Sequence, residues 1–318
     1  MQPYFCDESV TIYHADVRGL SAAELGEVAA AAFSPPYNVG YAYEEVSDAL
    51  SWPEYAALAE ATCALVRGAL VEGGRAFVNV CPVVASEVRA GGEHSGRTGR
   101  PRTSLLGIWD AALGGAGLEI WDYVAWTSIR RNGCAWGSWR TPNGPNLRGN
   151  WETVIVAYAG RWYRETPAGM AGWHDPGSDW EQLCANVWSV TPERRSYGGH
   201  PAPWPVELAS RCIRLSTWPG EVVLDPFCGS GTTLLAAREL GRRAIGVDAS
   251  EAYCELAAKR VSTSQLFSLG ELGAEVAETI EARLPVPAAG AAEQMPWSAG
   301  WDRRKKVSPG DLGVLVHP

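Results

Sequence analysis

The chain has 318 residues, of which 46% are hydrophobic and 20% charged, and its formal net charge is −9. Such a length and balance give one large domain or two small ones with a sizeable core, and exclude wholesale disorder. No apolar run approaches the ~18 residues that span a bilayer, and MQPYFCDESVTIYHADV lacks the basic and apolar parts of a signal peptide, so a cytoplasmic location with no membrane partner is expected.

In chain order, TIYHAD (11–16) reads as a strand ending on Asp16. Residues 21–29 read as a short helix, with Ser21 as cap and Glu24 completing a capping box. VAAAAFS (28–34) either extends that helix or forms a buried strand, and Pro35-Pro36 must end either one. After a loop at 38–50, an amphipathic helix covers 51–70, with Ser51 as N-cap and Gly73-Gly74 as its stop. RAFVNVC (75–81) is a short apolar strand, followed by a polar, Gly- and Arg-rich loop at 86–102. A helix at 104–115 and a long strand at 118–128 precede a Gly/Pro/Asn-rich loop at 130–150 and a strand at 151–160. Residues 161–199 carry several Trp with little periodicity. Then follow a helix at 205–217, a strand at 221–227, a helix at 232–240, a strand at 242–248 and a helix at 250–261. A helix near 270–283 and a loose tail end the chain. Trp109, Trp121 and Trp126 lie in periodic segments and are expected in the core.

The alternation predicts a doubly wound parallel sheet with helices on both faces. Ligands bind such sheets at the carboxyl ends of the strands, where Asp16, Ser34 and Asp225 stand. The eight cysteines are scattered, with no CxxC pair and no Cys at metal spacing from a His. Buried, reduced thiols and no metal are expected.

LDPFCGSGTT (224–233) lies between a strand and a helix. Gly229 and Gly231 let the backbone approach a ligand, and the helix N-terminus is electropositive. The turn lacks the Lys of a P-loop, and Leu234 replaces the third Gly of a dinucleotide fingerprint. Asp248 ends the next strand, where an acid can accept hydrogen bonds from ribose hydroxyls. Together these features point to a nucleoside-bearing ligand; a tight turn without a ligand is the bland alternative. In Ser34-Pro35-Pro36-Tyr37 neither proline offers an N–H, so carbonyls point outward as acceptors. Ser34 adds a hydroxyl and Tyr37 an aromatic face. Such a site suits the exocyclic amine of a flat ring.

DPFCGSGTT followed by GVDAS resembles the S-adenosylmethionine-binding motif of amino-methylating DNA methyltransferases, and SPPYNVG resembles their catalytic motif, [DSN]PP[YFW]. Residues 200–227 are similar to the segment ahead of their cofactor loop. The resemblance covers most of residues 10–262. The catalytic motif precedes the cofactor motif, an order that resembles the beta class. This implies an α/β fold: a doubly wound, mostly parallel, seven-stranded Rossmann-like methyltransferase sheet, circularly permuted, with an inserted target-recognition region. It implies S-adenosyl-L-methionine as cofactor, held by Asp16, Asp225, Phe227, Cys228, Gly229, Ser230, Gly231, Thr232, Thr233 and Asp248, and no metal. Ser34, Pro35, Pro36 and Tyr37 would carry catalysis, by direct methyl transfer to the amine of a base flipped out of double-stranded DNA.

Ser at the first motif position, where many adenine-N6 enzymes carry Asp, resembles the cytosine-N4 subgroup. Adenine N6 is the alternative, and a catalytically inactive DNA-binding protein on the same fold is a further one. The expected division is a catalytic half at 1–126 and a target-recognition insert at 127–199 that includes the strand at 151–160. A cofactor half at 200–262 and a C-terminal helix with a loose tail at 263–318 complete it. Arg130, Arg131, Trp136, Trp139 and Arg140 are the expected DNA contacts. RWYRE (161–165), PERR (192–195) and HSGRTGRPR (94–102) are further basic patches. The chain has no spare length for a nuclease, so a cognate restriction endonuclease would be a separate chain. A bacterial or phage origin follows; the recognition sequence and oligomeric state stay open.

Overall fold

The computed structural model describes residues 1–40, 42–43, 46–85, 102–127, 151–175, 179–192 and 204–267. The chain enters through β1 (Phe5–Cys6), β2 (Val10–His14), α1 (Ala22–Leu25) and β3 (Val28–Phe33). A small hairpin, β4 (Ala42–Tyr43) and β5 (Val46–Ser47), leads into α2 (Trp52–Ala69) and β6 (Leu70–Val80). A second hairpin, β7 (Val83–Ala85) and β8 (Arg102–Ser104), is followed by α3 (Leu105–Gly115), β9 (Leu118–Thr127) and β10 (Trp151–Ala159). Then come α4 (Trp180–Leu183), β11 (Val187–Ser189), α5 (Val206–Ser216), β12 (Val222–Asp225), α6 (Thr232–Glu239), β13 (Arg243–Asp248) and α7 (Glu251–Phe267).

One nine-stranded sheet runs in the order β1-β2-β13-β12-β3-β6-β10-β9-β11. Its seven inner strands are the seven read from sequence; β1 and β11 add one short edge strand at each side. From β2 to β6 all pairings are parallel. β10 alone among the inner seven is reversed, antiparallel to both β6 and β9. β12 and β13, late in the chain, sit between β2 and β3, which are early. That is the permuted order expected.

All six residues of β3 are buried, which resolves the ambiguity at 28–34 in favour of a strand. Successive side chains of a strand point to opposite faces. Accordingly Ala31 and Phe33 pack with α2 and α3, while Ala32 packs with α5, α6 and α7. The preceding helix stops at Gly26, whose φ of 76° takes the chain out of helical geometry.

Three sequence expectations need correction. α2 has the expected capping box of Ser51 and Glu54, but it ends at Leu70 rather than at Gly73-Gly74. Both glycines lie inside β6, beside a register shift against β3. Gly73 has φ +73°, and a Cβ there would meet Arg164 Cγ at 2.6 Å, so the glycine serves a close approach between segments. Trp109 and Trp126 are buried as expected, but Trp121 is 54% exposed. It stacks on Trp162 at 4.0 Å, with Arg75 on the same indole at 4.3 Å. Cys63, Cys212, Cys228 and Cys254 are buried thiols, whereas Cys6 and Cys184 are exposed. The segments at 86–101, 128–150 and 268–318, including the helix expected near 270–283, lie outside the described residues. Among the described residues no helix is long and apolar enough to cross a membrane, and no group of acidic, His or Cys side chains is placed to hold a metal.

Candidate active site

Ser34 follows β3 directly, at the carboxyl end of the sheet. The turn after it is braced from inside. The buried Tyr55 hydroxyl donates to the Pro36 carbonyl at 2.7 Å, and Trp109 Nε1 donates to that hydroxyl at 3.1 Å. The expectation that the motif's carbonyls face outward therefore fails for Pro36. The Pro35 carbonyl accepts no hydrogen bond from the described residues. Asn38 adopts the left-handed region with φ 56°, which Asn tolerates better than most residues. The Asp48 carboxylate accepts from the backbone N–H of Asn38 at 2.7 Å and of Val39 at 3.0 Å. The Asn38 amide exchanges two hydrogen bonds with the Leu50 backbone. Asp48, Tyr55 and Trp109 were not singled out from sequence, because nothing local to SPPY marks them.

The Tyr37 hydroxyl enters a polar cluster. It donates to Glu152 Oε2 at 2.8 Å and accepts from Asn79 Nδ2 at 2.9 Å. Asn79 Nδ2 also lies 2.9 Å from Glu152 Oε2. Ser34 Oγ is 3.4 Å from the Tyr37 oxygen and 3.4 Å from the Asn79 carbonyl oxygen. Burial, and then the negative Glu152, push the Tyr37 phenol well above its ordinary pKa, so it is a neutral hydroxyl. Asn79 ends β6, and Glu152 comes from the reversed strand β10, in which Thr153 pairs with Val80. Only that cross-strand register brings them to Ser34.

The cofactor turn begins at Asp225, the last residue of β12, which is parallel to and paired with β3. The buried Asp225 carboxylate accepts from Phe227 N–H at 3.0 Å, and burial lifts its pKa to about 7. Cys228 N–H donates to the Val247 carbonyl at 2.9 Å. Gly229 N–H donates to Asp248 Oδ2 at 2.8 Å, and Ser250 N–H to Oδ1 at 2.9 Å. Burial raises the Asp248 pKa as well. Gly231 opens α6 with φ 77°, and a Cβ there would lie 3.0 Å from Ala257 Cβ. Thr233 Oγ1 donates to the Ala32 carbonyl at 3.2 Å, and the rings of Phe33 and Phe227 are 6.0 Å apart. These contacts hold the cofactor turn and the Ser34 motif side by side.

Arg260 of α7 was not anticipated. Its guanidinium donates to the carbonyl and hydroxyl of Ser230, each at 3.1 Å, and to Thr232 Oγ1 at 2.9 Å. Those side chains brace the turn from behind. Asp16 follows β2, next to Asp248: Ala15 N–H donates to the Asp248 carbonyl at 2.9 Å. Its carboxylate caps a short turn and pairs with Arg18 at 2.5 Å, which lowers its pKa. Two buried acids below a turn that leaves no room for side chains suit a cationic nucleoside ligand, and the residues present fit S-adenosyl-L-methionine.

Arg130, Arg131, Trp136, Trp139 and Arg140 lie outside the described residues, as do 193–195 of PERR and all but Arg102 of HSGRTGRPR. RWYRE is not the basic patch its sequence suggests. The Arg164 side chain is only 8% exposed; it pairs with Glu221 at 2.5 Å and lies 4.9 Å from the Trp218 ring. Trp162 belongs to the Trp121 stack, leaving only Arg161 and Tyr163 well exposed in the patch with the acidic Glu165.

The N6_N4_Mtase family model, described as DNA methylase, matches residues 28–259. Type II methyltransferase M2.DpnII of Streptococcus pneumoniae is 46% identical over 79 residues, 24% of this chain and 30% of that protein. The chain thus spans under a third of the length of that relative. Type II methyltransferase M.ScaI of Streptomyces caespitosus is 28% identical over 285 residues, 82% of this chain and 84% of its own. Among solved structures, a DNA modification methylase of Thermus thermophilus, TTHA0409, complexed with S-adenosyl-L-methionine, aligns with a TM-score of 0.60 and 25% identity. The match covers 79% of this chain and 93% of that one.

Proposed function

The chain belongs to the DNA methylase family, and from that premise we propose that it is a site-specific DNA methyltransferase acting on the exocyclic N4 amine of a cytosine turned out of the duplex. The observation that carries this reading is the adjacency of two motifs at the carboxyl ends of β3 and β12. There Thr233 bonds to the Ala32 carbonyl and Phe33 lies 6.0 Å from Phe227. An amine-binding turn and a nucleoside-binding turn share one crevice.

The cofactor, when bound, supplies an electrophilic methyl group on a sulfonium. Asp248 would hold its ribose hydroxyls, the 227–233 turn its methionine part, and Asp16 would lie near its adenine. A base amine is conjugated to its ring and is a poor nucleophile. Ser34 Oγ and the Pro35 carbonyl accept from its N–H groups, which holds the nitrogen in place and favours its pyramidal form. Tyr37 provides the stacking surface for a base that has left the duplex. Most of the rate enhancement then comes from positioning and from fixed acceptors. Ser34, where adenine enzymes commonly carry Asp, favours cytosine. Arg130, Arg131, Trp136, Trp139 and Arg140 are proposed to contact double-stranded DNA from a target-recognition insert at 127–199. Methylation-aware sequencing of DNA from a host expressing the chain tests this reading. It reports the base, its position and the surrounding site together, and unmodified DNA would refute it.

A further inference from the structure

Resting on that reading, the geometry points to Glu152 as a positioning residue of the amine site: its carboxylate sets the hydrogen-bond direction of Tyr37, and Tyr37 sets that of Ser34.

A serine hydroxyl can donate or accept. To accept from a base amine, Ser34 must place its own proton elsewhere. Two acceptors stand near it, the Tyr37 oxygen and the Asn79 carbonyl oxygen, both at 3.4 Å. The Tyr37 oxygen can accept only if its own proton points away from Ser34. Glu152 Oε2, 2.8 Å away, secures that: an ionised carboxylate accepts and cannot donate, so the phenol must donate to it. The phenol lone pairs then remain for Ser34 and for Asn79 Nδ2. The same carboxylate oxygen draws the NH₂ of Asn79 toward itself at 2.9 Å. Asn79 Oδ1 is consequently left buried with no hydrogen-bond partner among the described residues. A buried acceptor without a partner is costly, and the orientation is kept because Glu152 allows no other. The chain of directions runs from Ser34 to Tyr37 to Glu152, and it leaves the Ser34 lone pairs for the substrate. Glu152 itself acts only through Tyr37 and Asn79.

Glu152→Gln keeps the size of the side chain and ends the obligation to accept. Methyl transfer to a duplex substrate should show kcat lowered about tenfold, with the S-adenosyl-L-methionine Kd from calorimetry unchanged. In a Tyr37→Phe background, where the relay is already cut, the same substitution should change kcat less than about twofold. Unchanged kcat in Glu152→Gln, or full multiplication of the two losses, overturns the proposal. NMR of carbon-labelled tyrosine reads the positioning without any substrate. The Tyr37 ring signal, assigned by its loss in Tyr37→Phe, should move in Glu152→Gln, and an unmoved signal overturns the proposal even in a fully active enzyme. A wild type that transfers no methyl to any DNA refutes the proposed function instead, and leaves that NMR signal to judge Glu152.

Discussion

The cofactor turn and the amine-binding turn lie at the ends of neighbouring strands, yet they are built in opposite ways. The cofactor turn is local. Phe227, Cys228, Gly229 and Gly231 bond to Asp225, Val247, Asp248 and Cys228, all within one strand–turn–helix–strand stretch. The amine-binding turn leans on distant supports: Asp48, Tyr55, Asn79, Trp109 and Glu152 come from five separate elements or loops. A turn that offers mainly backbone to its ligand can be written in a short string with two glycines. A turn that must present particular acceptors in particular directions needs a frame, and the frame comes from the whole sheet.

This contrast predicts that the two turns fail differently. The largest effect should come from Ser34→Ala. It removes an acceptor needed mainly in the transition state, a loss of ~2–4 kcal/mol in kcat, while calorimetric affinity for S-adenosyl-L-methionine stays at the wild-type value. A parallel loss of affinity would mean that the two turns are not separable.

The next effect is on stability and is specific to the cofactor side. Burial raises Asp225 to about 7, above the ordinary value of ~3.9. Between those values the native state keeps a proton that the unfolded chain has released. The stabilisation is therefore complete below about pH 4 and is lost as pH rises through about 7, at up to ~1.4 kcal/mol per pH unit. Urea titrations from pH 5 to 7.5 should show stability falling more steeply in the wild type than in Asp225→Asn. Equal slopes would mean that Asp225 is not held protonated.

Asp248→Ala should reverse the pattern of Ser34→Ala. Cofactor affinity should weaken by ~1–3 kcal/mol, the range for a hydrogen bond to a charged group, with kcat at saturating cofactor largely kept. Unchanged affinity in calorimetry would remove Asp248 from the site. The smallest effect should lie away from both turns. Trp121→Ala loses its stack on Trp162, which should lower stability in urea by ~0.5–1.5 kcal/mol and leave methyl transfer intact.

The same contrast explains what could be read in advance. The seven inner strands were legible because buried parallel strands appear as short apolar runs between turn signals. Asp225, Gly229, Gly231 and Asp248 were legible because their roles follow from neighbours in the chain. Glu152 was not: it occurs in an ordinary strand pattern, and only the antiparallel register of β10 against β6 brings it to Tyr37. Asn79 ends an apolar strand without any local sign of its partners. RWYRE misled for a related reason. Arg164 looks like a surface cation, but Glu221, far along the chain, takes it into a buried pair. Trp121 falls in a periodic strand, yet the face it occupies carries a stack and not a helix layer. Long-range partners decide all four, and the residues beside them in the chain carry no trace of those partners.

The central claim is direct methyl transfer to an exocyclic amine held by Ser34. Nucleoside mass spectrometry of DNA from a methylation-free host expressing the wild type, beside one expressing Ser34→Ala, tests it most directly. The account predicts N4-methylcytosine with the wild type and a severe loss of it with Ser34→Ala. N6-methyladenine would change the base and keep the mechanism. Finding 5-methylcytosine, or an undiminished product in Ser34→Ala, would contradict the account, since carbon methylation needs a nucleophile that this motif lacks.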